Sequence, residues 1–232
     1  MREKSKTGML RLVRDPKAIA GVIISMAGIY WAFKDFQFFD FKESIYQVDL
    51  LYLVLATFFL WGSVWLRGLR WTWLFKENAS PTITSLYRAE LIGYFGNNVL
   101  PLRLGELLRS YIVGKENSLS KSFVFGTVVL ERLMDTLVLL LFTLLLFLTS
   151  PLEGAFKGNI MWGGIISFFI IITILIIINH IQIFQTENKI LTIIKKVIDG
   201  LLSIRKGMLM PVIISSILIW CIYFLDVYLV QK

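Results

Sequence analysis

The chain has a single cysteine and a single histidine among its 232 residues. Cys221 alone forms no disulfide within the chain and offers no thiolate pair to a metal. His180 lies at the end of an apolar run without the partners that a zinc site or a Ser-His-Asp relay needs, and it reads as an interfacial histidine. No Asp-rich metal run, no nucleotide-binding segment, no internal repeat and no low-complexity linker is present, so one domain, 1–232, with no cofactor and no metal is expected. Charge is scarce as well. Charged residues make up 17% of the chain and hydrophobic ones 56%. A soluble domain of this length cannot bury that much apolar surface, so the bilayer is the solvent.

Five apolar runs read as spans: 18–33, 50–66, 133–149, 160–178 and 211–230. A crossing needs about 20 residues, so the first is short and borrows a flanking turn. The run at 18–33 has no small-residue cleavage site and leads into an acidic loop (Asp35, Asp40, Glu43, Asp49), as a retained span does. The net charge of +8 invites a nucleic-acid reading, but its distribution opposes it. With the N-terminus and the segments after spans two and four on one side, the other side keeps only Lys34, Lys42, Lys157 and Lys232 of the 24 basic residues. That is the positive-inside pattern, and it predicts a multi-pass cell-membrane protein with a cytoplasmic N-terminus, affinity for anionic headgroups and no nucleic-acid partner. The fold class that follows is an all-α polytopic membrane bundle.

One region does not fit a plain span. Ser80-Pro81 is a helix start, with Ser as cap and Pro in the first position. The helix runs to about Phe95, carries Arg88 and Glu90 in its middle, and is broken by Gly96-Asn97-Asn98 before Pro101 starts a second short helix. Residues 81–113 therefore read as a re-entrant hairpin, the alternative being two amphipathic helices on the cytoplasmic surface. Residues 187–206 form a basic amphipathic helix with Ile190, Ile193, Ile194, Val197, Ile198, Leu201 and Leu202 on one face, suited to an interface or a lid. Arg67, Arg70, Trp71 and Trp73 read as an anchor closing span two.

Charges and breakers among spans are costly in lipid, so by default they mark a working site. On a helix from Leu102, residues Arg103, Glu106 and Arg109 fall within an arc of about 120°. Glu106 can orient either guanidinium without neutralising both. Together with a helix N-terminus and the side chains of Asn97 and Asn98, this is a receptor for phosphate. Glu131 and Asp135 lie one turn apart with Arg132 beside them, and two carboxylates that close need a cation between them. Arg132, Arg103 or Arg109 can supply it, which makes Glu131, Arg132 and Asp135 a candidate gate on a polar path. Asp226, inside the last span, either pairs with an arginine or meets water at the outer interface.

The order of these motifs resembles the lysylphosphatidylglycerol synthase transmembrane-region family, also called the flippase-like domain family. The residues that carry it are Arg70-Trp71, Asn98-x-Leu100-Pro101-x-Arg103-x-Gly105-Glu106-x-x-Arg109, Ser122, Glu131-Arg132-x-x-Asp135 and Trp220. The resemblance implies a membrane protein that moves or presents an anionic or aminoacylated phospholipid, or a polyprenyl-phosphate carrier. The soluble aminoacyl-transferase domain of the bifunctional relatives is missing, so lysyl transfer is not implied. Family members are usually longer, so the chain is expected to be C-terminally truncated, or to complete its cavity with another copy as a homo-oligomer. The rival readings are a membrane transferase acting on a lipid-linked phosphate, with Glu106 or Asp135 as base, and a non-transporting scaffold.

Overall fold

The computed structural model describes residues 16–34, 36–76, 81–149, 155–180 and 188–231, and all regular structure among them is helical, as expected. They form two compact units that divide between Asp49 and Leu50. In the first, α1 (Pro16–Phe33) exposes its apolar side chains and α2 (Phe38–Gln47) is short. Between them the Phe36 ring meets Phe33 and Phe38 edge-on, at 5.6 and 5.1 Å.

The second unit contains α3 (Leu50–Trp73), α4 (Ile83–Val99), a 3-10 turn (Pro101–Arg103), α5 (Gly105–Glu116), α6 (Lys121–Thr149), α7 (Ala155–His180), α8 (Lys189–Leu201) and α9 (Leu209–Val230). Three of these are long and apolar enough to cross a membrane: α3, α6 and α9, with mean hydropathies of 1.6, 2.0 and 2.2. Gly21–Phe33 and Gly158–Ile174 are shorter apolar stretches. Two span boundaries differ from the sequence reading. Helix α3 continues past 66 to Trp73, and α6 begins at Lys121, well ahead of 133. The charges of the α3 extension read as an interfacial anchor and those of the α6 extension as charges drawn into the membrane; Arg67, Arg70, Glu131 and Asp135 among them are buried and paired with one another.

Helix α3 packs on α4 and α9, while α6 packs on α5, α7, α8 and α9. The core lies at one end of this bundle. Trp71, Leu74 and Phe75 at the end of α3 meet Leu86 and Ala89 of α4, Val124 and Val128 of α6, and Val212 of α9. Toward the far ends of α3, α6 and α9 the apolar side chains are mostly exposed. Lipid tails are as apolar as leucine, so helices in a membrane gain little by hiding such side chains from them.

Two of the contacts are made backbone to backbone. Helices α4 and α5 form a hairpin in which Gly105 lies against the Gly93 carbonyl and Asn97, and a Cβ at Gly105 would stand 2.6 Å from the Asn97 nitrogen. Helix α8 crosses α6 where Gly126 meets Gly200, and a Cβ on either would come within 2.9 Å of the other's Cα. Beyond α8 the chain is tied to the end of α3, because the Arg205 N–H donates to the Trp73 carbonyl at 2.9 Å and the Ser203 hydroxyl donates to that of Leu74.

The hairpin differs in detail from its sequence reading. Ser80 lies outside the described residues; the cap is Thr82, whose hydroxyl accepts from the Ser85 N–H at 3.3 Å. Gly96-Asn97-Asn98 does not break the helix. It stays helical to Val99, and the reversal falls at Leu100–Leu104, where Leu102 takes φ +57°. Proline fixes the residue before it as extended, and this places the break at Leu100. The α8 stripe is also divided: Val197 and Leu201 pack into the core, while Ile190, Ile193 and Ile194 are exposed.

Candidate functional site

Helix α3 presents Arg67, Arg70 and Trp71 on one face, three and four residues apart. Opposite them, α6 presents Glu131 and Asp135, also one turn apart. Arg67 Nη1 lies 3.0 Å from Glu131 Oε1 and 3.2 Å from Asp135 Oδ2. Arg70 repeats the pattern, with Nη2 3.1 Å from Glu131 Oε1 and Nη1 2.7 Å from Asp135 Oδ1. Two carboxylates on adjacent turns thus face two guanidiniums on adjacent turns, and this removes the repulsion either pair would suffer alone. Ser216 of α9 accepts a further bond from Arg70 Nη1 at 2.7 Å, and the Tyr223 hydroxyl accepts from Arg67 Nε at 2.8 Å.

The hairpin closes the cluster. Arg109 of α5 pairs with Glu90 of α4 and places Nη2 3.2 Å from Glu131 Oε2. Its guanidinium also stacks 4.8 Å over the Trp71 ring, and the Trp71 indole donates to Thr127 at 2.9 Å. Glu131 therefore meets three arginines. Arg67, Arg70, Arg109, Glu90, Glu131 and Asp135 are all buried, and as ionised groups they balance, three against three. At the edge, Arg132 Nε reaches Glu106 Oε1 at 2.7 Å, with the two side chains 35% and 23% exposed. This is the accessible ion pair of the site.

Several sequence expectations resolve here. Arg109, Glu131 and Asp135 come together as buried partners, and Arg132 and Glu106 form the rim. Glu106 orients Arg132, and neither described partner of Arg109 is Glu106. The expected positive excess on the Arg103–Arg109 turn is accordingly absent at Arg109, which Glu90 and Glu131 neutralise from two neighbouring helices. The side chain of Arg103 lies outside the described residues. Asn97 is half-buried at the Gly105 contact, its Oδ1 accepting no bond among the described residues. Asn98 is exposed and donates to the Tyr94 carbonyl at 2.9 Å. Asp226 pairs with no arginine among the described residues, and its two carboxylate oxygens accept no hydrogen bond there.

Sequence reasoning missed the roles of Arg67, Arg70, Ser216 and Tyr223. By sequence the two arginines match an interfacial anchor, although their i, i+3 spacing also matches the i, i+4 carboxylates of α6 and is the available signal. Nothing local marks Ser216 or Tyr223. Among the described residues no three His, Cys, Asp or Glu side chains are arranged to hold a metal ion.

Comparison with known proteins agrees with the motifs. The lysylphosphatidylglycerol synthase TM region family matches residues 18–232. Two curated relatives come from Methanocaldococcus jannaschii. UPF0104 membrane protein MJ1078 is 31% identical over 59% of this chain and 60% of its own length. UPF0104 membrane protein MJ1595 is 36% identical over 32% of this chain and 23% of its own. The chain thus spans less than two thirds of either relative. No solved structure matches.

Proposed function

The chain belongs to the lysylphosphatidylglycerol synthase TM region family of membrane proteins, and from that premise we propose that it binds and translocates a phosphate-bearing lipid. Its ligand is an anionic or aminoacylated phospholipid or a polyprenyl phosphate, and it works in the cell membrane with its N-terminus cytoplasmic. The observation that carries the reading is the cluster of six buried ionisable side chains, three basic and three acidic, with one partly exposed pair, Arg132–Glu106, at its edge. Ionisable groups at membrane depth are expensive, and their default meaning is a path for a polar ligand.

A balanced cluster holds no free cation for a phosphate, so uptake works by exchange. A phosphate oxygen replaces the Glu106 carboxylate on Arg132, and the displaced carboxylate, already 23% exposed, turns out to water. Asn97 and Asn98 at the end of α4 extend the polar surface toward the headgroup, and Arg103 is the phosphate contact expected beside them from the sequence. Glu131, Arg132 and Asp135 line the route, Arg132 being shared between Glu106 and Asp135, at 2.7 and 3.6 Å. The hairpin itself is re-entrant: its base is polar, with Ser85, Arg88 and Glu116 in contact, and its tip exposes Leu102 at 92%.

The test is lipid scrambling in liposomes of phosphatidylcholine with a fluorescent phosphatidylglycerol. Replacing Arg132 or Arg103 by Gln is expected to slow scrambling by about tenfold, the equivalent of one charge-assisted hydrogen bond, while thermal unfolding stays close to wild type. Equal rates for all three proteins, above empty vesicles, would remove the proposed exchange. A loss of stability with lipid binding unchanged would instead favour the scaffold reading.

A further inference from the structure

A groove of about 310 Å³ opens on the outer face of α3, α4 and α9, lined by Leu60, Trp61, Val64, Leu91, Tyr94 and Tyr223. Four of these are apolar, and the two tyrosines lie at the end nearest the ion cluster, where Tyr223 accepts the 2.8 Å bond from Arg67 Nε. The hydroxyls of Tyr94 and Tyr223 are neighbours, and both face Arg67.

A count of donors makes the site specific. Each tyrosine has one O–H to donate. Tyr223 already accepts from Arg67, and no carboxylate or carbonyl accepts from either ring among the described residues. The two hydroxyls can satisfy each other only once, so one O–H remains unspent whichever of them donates. The Tyr94 hydroxyl is buried, so where its own O–H is the one left over bulk water does not take it up. A buried donor without an acceptor is costly, and a donor polarised by a neighbouring guanidinium is a strong one.

We propose that this groove is the lateral docking site of an anionic glycerophospholipid. An acyl chain lies along Leu60, Trp61, Val64 and Leu91, and an oxygen of the phosphodiester accepts from the Tyr94–Tyr223 pair. The occupant follows from the chemistry on both sides. The walls are apolar and belong to α3, which can cross a membrane, and to α4 of the hairpin, which suits an acyl chain, and the end offers O–H donors beside a guanidinium, which suits an oxygen acceptor that bears negative charge. The Tyr94 hydroxyl is covered in this state, and a turn about its Cα–Cβ bond brings the O–H to the incoming oxygen. From there Arg67 leads directly to Glu131 and Asp135, so the groove feeds the exchange path. In that respect the assignment rests on the proposed function.

The experiment reads binding and leaves transport aside. The full chain is placed in phosphatidylcholine nanodiscs with phosphatidylglycerol bearing a diazirine in one acyl chain, or with diacylglycerol bearing the same group. Crosslinked residues are mapped by mass spectrometry. Phosphatidylglycerol is expected to label Leu60, Trp61, Val64 and Leu91 above the exposed faces of α7. Tyr94→Phe leaves the Arg67–Tyr223 bond in place and should lower that labelling about fivefold, the worth of one hydrogen bond. Diacylglycerol, which lacks the phosphate, should label weakly and equally in both proteins. Tyr223→Phe, which removes the acceptor of Arg67 as well, should lower labelling at least as far. Uniform labelling of all apolar faces, or undiminished labelling of Tyr94→Phe, overturns the assignment even if scrambling is normal. An absence of scrambling, by contrast, leaves groove labelling untouched and counts only against translocation.

Discussion

Glu131 is the residue on which the buried charges converge, with guanidinium nitrogens of Arg67, Arg70 and Arg109 at 3.0, 3.1 and 3.2 Å. Removing one member of a buried ionic cluster leaves its partners uncompensated, which costs about 3–5 kcal/mol. Glu131→Gln keeps the shape and removes the charge, so it is expected to lose that much, measured by thermal unfolding in detergent. Arg132→Gln removes a charge that is already one-third exposed, and solvent screening holds its cost below about 1 kcal/mol. Similar losses from both would mean that the cluster is not the electrostatic centre of the fold. The carboxylates of this centre were legible in the sequence, because a charged turn ahead of an apolar run attracts notice. Arg67 and Arg70 were less so. Beside Trp71 and Trp73 they match an interfacial anchor equally well, and only the approach of α6 separates the two meanings.

At the scale of the element, apolar length located α3, α6 and α9, yet the same criterion cut α3 and α6 short at their charges. Hydropathy averages over a window and cannot register that a charge is cancelled by a partner 64 residues away, as Arg67 is by Glu131. The hairpin was legible as two short helices and a break, but the break moved to Leu100 because glycine and asparagine tolerate a helix that packs closely. That closeness sets a second expectation. A methyl at Gly105 would collide with the Gly93 carbonyl and with Asn97, both of them held in α4. Overpacking of this kind costs about 1–3 kcal/mol. Gly105→Ala should therefore loosen the hairpin from within and pull Arg109 away from Glu90 and Glu131. The expected sign is a lowered unfolding temperature together with faster amide exchange in α4 and α5, with α8 unaffected. Exchange that rises evenly over the whole chain would show that the hairpin is not a separable element.

At the scale of the molecule, burial and charge share one end of the bundle while the far ends of α3, α6 and α9 stay apolar and exposed. The hairpin rises from the packed end, with Glu116 at its base bonded to Ser85 and Leu102 at its tip. A helix of 17 residues such as α4 is about 25 Å long at 1.5 Å per residue, less than the hydrocarbon thickness of about 30 Å. Its tip therefore stops inside the bilayer if the base is at the interface, and it reaches no second aqueous phase. Placed on the surface instead, the same hairpin would hold Leu102 in water. The two placements separate in a background of Cys221→Ala, which removes the one native thiol. Glu116→Cys should react with a membrane-impermeant maleimide from one side only, and Leu102→Cys from neither side until detergent is added. Rapid labelling of Leu102→Cys from the side that labels Glu116→Cys would place the hairpin flat on the membrane. The Arg132–Glu106 pair would then open to bulk water, where a phosphate gains little by exchanging onto a guanidinium.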